Sequence, residues 1–95
     1  MKTTVKLTES MRSELKELCG ALTLTEAVAL RVDKFETIAG IQKHDIPEGV
    51  KASSILVSLP INHWAKLNYW IIEQTTEETH YNMRDALLTL MRMVK

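Results

Sequence analysis

Ninety-five residues make about one domain, long enough to bury roughly 60 to 65% of the unfolded surface around one modest core. With 45% hydrophobic and 25% charged residues, no window near the roughly 18 apolar residues of a spanning helix, and no apolar export region in MKTTVKLTES, composition argues against a membrane protein and for a cytoplasmic one. Twelve basic and twelve acidic residues cancel, and they cancel again by halves, eight of each in 1–52 and four of each in 53–95, which removes any basic tail but leaves room for a small basic face.

In chain order, TTVKLT at 3–8 alternates with period two, placing Val5 and Leu7 on one face and Lys2, Thr4, Lys6 and Thr8 on the other. Helical spacing follows at Met11, Leu15, Leu18, Cys19 and Leu22, with Gly20 suited to an end. Cys19 is the only cysteine, so an internal disulfide is ruled out and the thiol reads as a small packed hydrophobe. A second helix is expected from Thr23, whose hydroxyl and the acid Glu26 three residues on form a capping box; its stripe is Leu24, Val28, Val32, Phe35 and Ile38, and Gly40 would stop it.

Residues 40–53, GIQKHDIPEGVKAS, have little periodicity and read as a connection. SILVSL at 54–59 alternates again, with Ile55, Val57 and Leu59 opposite Ser54, Leu56 and Ser58, and Pro60 fits the first turn of a helix. INHWAKLNYWIIEQ at 61–74 is apolar around much of its circumference and is expected to be buried on more than one side. TTEETHY at 75–81 breaks the pattern. NMRDALLTLMRMV then starts with Asn82 as cap and Asp85 as the capping-box acid, followed by a stripe of Met83, Leu87, Leu90, Met91 and Val94.

The chain thus reads as strand, helix, helix written twice: a unit over 1–40, a linker over 41–53 and a unit over 54–95, in one domain. Val5 and Leu7 correspond to Val57 and Leu59; Leu15, Leu18 and Cys19 to Leu67, Trp70 and Ile71; Leu24, Val28, Val32 and Phe35 to Met83, Leu87, Met91 and Val94. A lone strand leaves its backbone unsatisfied, so the two are expected to pair as an antiparallel ribbon backed by four helices, a mainly α fold.

On VKLT and VSLP in the strands, and TLTEAV and NMRDAL at the second-helix starts, the sequence resembles the ribbon-helix-helix family of the MetJ/Arc type, with both units in one chain as a pseudo-dimer. The resemblance spans nearly the whole chain apart from the linker, and its specificity lies in order and doubling. It implies a DNA-binding protein, a transcriptional regulator or plasmid or phage accessory factor, whose ribbon enters the major groove. Lys2, Thr4, Lys6, Ser54, Leu56 and Ser58 would then face bases, and the helix starts at Thr23, Leu24, Thr25 and at Asn82, Met83, Arg84 would bind phosphates, helped by the helix dipole and the Arg84 charge.

The same outward residues also suit the solvated side of a half-exposed ribbon. Leu56 stands opposite Thr4 in the pattern, and the second strand lacks Lys and Arg. That half either reads thymine methyls or is covered by a protein, which makes a protein-binding adaptor or inhibitor on the same fold the alternative. Histidines 44, 63 and 80 have no spaced partners and read as surface residues, and the capping acids need no chemistry to explain them, so a non-enzyme without cofactor or metal is expected. Trp64, Tyr69 and Trp70 in one helix point first to core packing and, for any apolar surface left over, to a protein partner or self-association through the second unit.

Overall fold

The computed structural model describes residues 1–37 and 43–94; Ile38 and Gly40, expected to extend and stop the second helix, lie outside the described residues. Its elements are β1 (Lys2–Thr8), α1 (Glu9–Cys19), α2 (Leu24–Arg31), a 3-10 helix (Val32–Thr37), β2 (Ala52–Ser58), α3 (Ile61–Gln74) and α4 (Met83–Met93). The two strands form one antiparallel sheet, in register from Lys2 opposite Ser58, through Thr4 opposite Leu56, to Thr8 opposite Ala52.

Alternation decides which side of this ribbon is buried. Val5, Leu7, Val57 and the following Leu59 lie in the core, with Ile55 packed at its margin. Thr8, expected on the outer face, is buried, because the chain turns there into α1 and its hydroxyl caps the helix by accepting from the Met11 N–H at 3.2 Å. Gly20 ends α1 at φ 60°, ψ −122°, a backbone region open to a residue without Cβ.

Both capping boxes form. The Thr23 hydroxyl and the Asn82 side-chain oxygen accept from the N–H of Glu26 and Asp85, and each acid reaches back to its cap's N–H. Pro60 sits one position earlier than expected, at the N-cap of α3, where its fixed φ leads the chain into the helix.

Three expectations about packing are corrected. The helix begun at Leu24 tightens to 3-10 geometry after Arg31; side chains three apart eclipse in that geometry, which turns Val32 and Phe35 together into the core. Phe35 stacks on Trp70 with centroids 4.8 Å apart. Leu18 and Leu22, assigned to the inward stripe of α1, are more than a third exposed, since the short α1 turns only Leu15 fully inward. Burial on several sides belongs to α4 and not to α3: every residue from Asp85 to Met91 is buried, because α4 lies against α1, α2, α3 and β1 together. Helix α3, packed on α4 and the 3-10 helix, keeps an open face of Ile61, Ala65, Tyr69 and Ile72. No described helix is long and apolar enough to cross a membrane.

Candidate functional site

The pleat that buries Val5 and Val57 turns the residues between them outward. Lys2, Thr4, Lys6, Ser54, Leu56 and Ser58 are all exposed, and the register sets them in three cross-strand pairs: Lys2 with Ser58, Thr4 with Leu56, Lys6 with Ser54. Lysines therefore stand on one strand only, on either side of a centre made by Thr4 and Leu56. Leu56 is 63% exposed there, a large apolar side chain in the middle of a polar face.

One helix start is fastened to this ribbon. The Thr25 hydroxyl donates to the Ser58 carbonyl at 2.7 Å, holding the first turn of α2 beside the end of β2. The caps take the N–H of Glu26 and Asp85; the N–H groups of Leu24, Thr25, Met83 and Arg84, at the first two positions of each helix, have no intrahelical acceptor by geometry. Thr23, Leu24 and Thr25 thus gather next to the ribbon.

At Asn82, Met83 and Arg84 the surroundings differ. The Arg84 guanidinium donates to the His44 carbonyl at 2.6 Å, and its buried Nε has no acceptor among the described residues. The charge assigned to a phosphate is turned instead onto the connection between the two halves of the chain. Met83 lines a hollow with Met1, Thr3 and Trp64.

His44, expected as a surface residue, belongs to a part-buried cluster. Its backbone N–H donates to Oδ1 of Asp85 at 3.0 Å, its Nε2 lies 3.3 Å from the Thr89 hydroxyl, and its Nδ1 lies 3.0 Å from an Arg92 nitrogen. Arg92 grips Glu14 of α1 with two nitrogens, the second contact at 2.7 Å. Burial first, then the Arg92 charge, hold the imidazole below its ordinary value, whereas the Arg92 hydrogen bond holds the Glu14 carboxyl below the usual carboxylate range. Asp85, Thr89 and Arg92 stand at helical spacing on α4, a signal the sequence did carry; His44 comes from the connection and Glu14 from α1, and no spacing links those two to α4.

Of the aromatic trio, Trp64 and Trp70 are 4% and 2% exposed, so they form core and not a partner surface. The Trp64 indole donates to the Met1 carbonyl at 2.8 Å, and Trp70 meets Phe35 and Tyr81. Tyr69, 55% exposed, remains outside. Among the described residues no group of three or more His, Cys, Asp or Glu side chains is arranged to hold a metal.

No protein-family model matches the chain, and comparison with curated proteins and with solved structures returns no match either.

Proposed function

We propose that this chain is a tandem ribbon-helix-helix protein that binds double-stranded DNA by inserting its two-stranded ribbon into the major groove, as a cytoplasmic transcriptional regulator or an accessory factor of a plasmid or phage. One observation carries the reading: the six polar-patterned positions Lys2, Thr4, Lys6, Ser54, Leu56 and Ser58 lie on a single exposed face of a two-stranded antiparallel ribbon. A two-stranded ribbon has the width of that groove, where lysine and hydroxyl side chains meet base edges and an apolar side chain meets the thymine methyl.

The register supports the tandem arrangement. Exchanging the strands about the Thr4–Leu56 pair carries Lys2 onto Ser54, Lys6 onto Ser58 and Val5 onto Val57, as a pseudo-two-fold axis requires. The hollows beside the strands obey the same exchange. One is lined by Arg12, Lys16, Leu24 and Ile55, the other by Trp64, Asn68, Met83 and Thr3. Phosphate binding falls unequally on the two halves, since the first turn of α2 is tied to the ribbon through Thr25 and Ser58, whereas Arg84 is spent on His44.

Leu56 favours a second reading, in which the ribbon face receives a protein and the chain is a non-enzymatic adaptor or inhibitor. Titration against mixed duplex DNA at increasing salt decides between them. Phosphate contacts make log K fall linearly with log salt. Absence of binding at low salt, together with a ribbon-dependent protein complex, removes the DNA reading.

A further inference from the structure

A groove of about 310 Å³ runs between α1, the start of α2 and β2. Its walls are apolar, built from Cys19, Leu22, Leu24 and Ile55, of which Leu22 is exposed and the others are half-buried. Arg12 and Lys16, one helical turn apart on α1, stand exposed at its edge. Among the described residues no ion pair engages either cation. Of the acids nearby, Arg92 holds Glu14 and Glu26 closes the α2 capping box; Glu9 shares an adjoining hollow with Arg12 and Lys16 without forming an ion pair with either.

An apolar trough with two unpaired cations at one side is complementary to a molecule with an apolar tail and an anionic head. The volume lies at the small end of ligand sites, roughly 300 to 1,000 Å³, which suits a small amphiphile. The counterpart hollow by Met83 is of similar size, about 320 Å³, but Trp64 and Asn68 replace the cations and no charged side chain lines it.

We propose that the groove bounded by Arg12, Lys16, Leu22, Leu24 and Ile55 binds a small anionic amphiphile, a monocarboxylate with an aliphatic or aryl tail. The carboxylate pairs with the Arg12 fork and the Lys16 ammonium, and the tail lies on Leu22, Leu24 and Ile55. This site stands apart from the ribbon face and does not rest on the DNA reading.

The test uses the full chain, with octanoate as probe and octanol as its uncharged analogue. Calorimetry should show saturable octanoate binding, with octanol roughly ten-fold weaker, the factor that one charge-assisted contact supplies. Octanoate should also slow alkylation of Cys19, the only thiol of the chain and part of the groove wall. The double variant Arg12→Gln, Lys16→Gln changes two exposed residues, should keep the native circular dichroism, and should bind octanoate no better than octanol. A failure of octanoate to saturate, unchanged Cys19 alkylation at saturation, or an undiminished preference for octanoate in the double variant overturns the proposal.

Discussion

The backbone N–H of His44 and the backbone N–H of Asn82 share one carboxylate: Oδ1 of Asp85 accepts the first at 3.0 Å and Oδ2 the second at 2.9 Å. A capping acid of α4 is thereby also the anchor of the connection from the first half of the chain. Asp85 is fully buried, so its removal takes the acceptor from two part-buried donors and leaves a gap in the packed start of α4.

Asp85→Ala should therefore lower the free energy of unfolding by about 3 kcal/mol, more than the loss of an ordinary cap. Thr23→Ala, at the exposed capping box of α2, should cost only about 1 kcal/mol. Urea unfolding of both variants checks the difference; equal costs would mean that the Asp85–His44 contact contributes nothing.

Stability should fall as the solution is acidified, in two stages of the same sign. His44 is held below its ordinary value of 6.5 in the folded chain, so on acidification the unfolded chain takes up the proton first, and stability present above pH 6.5 declines beneath it until the folded imidazole also protonates. Glu14 is held below 4.5, so its contribution is present above that pH and is lost as pH drops below it. His44→Gln should flatten the first stage and Glu14→Gln the second, as read from melting temperatures from about pH 2 to pH 8, a span of about six units. An unaltered profile in His44→Gln would contradict the burial of the imidazole.

Lys6→Ala and Arg84→Ala should separate in DNA binding. Lys6 is exposed on the ribbon, and its loss should weaken specific binding by about 1–3 kcal/mol at unchanged stability. Arg84 is committed to the His44 carbonyl, so its variant should lose about 1 kcal/mol of stability and keep the wild-type slope of log K against log salt. A slope reduced by about one unit in Arg84→Ala would show that its guanidinium leaves His44 for a phosphate. Leu56→Ser should leave folding unchanged; if it abolishes a protein complex while Lys6→Ala leaves DNA titrations unaffected, the adaptor reading replaces the regulator.

Trp70→Ala should be among the most damaging single changes, about 3–5 kcal/mol, because it removes a ring packed between Phe35 and Tyr81. Tyr69→Ala, one position along the same helix on its open face, should cost far less. Chemical denaturation of the pair tests whether α3 is oriented as described.

Local rules were enough to read much of this protein from its letters. The alternation of Val5 and Leu7 and of Val57 and Leu59 fixed the inner side of each strand, and with it the six outward residues, because side chains on a strand change face at every step. Thr23 with Glu26 and Asn82 with Asp85 marked two helix starts, because a capping box acts over three residues and needs nothing from the rest of the fold. Tertiary contact decided the remainder. An apolar circumference in α3 and a one-sided stripe in α4 suggested the wrong central helix, since burial depends on how many neighbours surround a helix and not on its own composition. The 3-10 turn after Arg31 packs Val32–Thr37 against α3, and His44 and Glu14 meet Arg84, Asp85 and Arg92 of α4; these contacts join segments far apart in the chain, where periodicity carries no information and only the packed structure selects the partners.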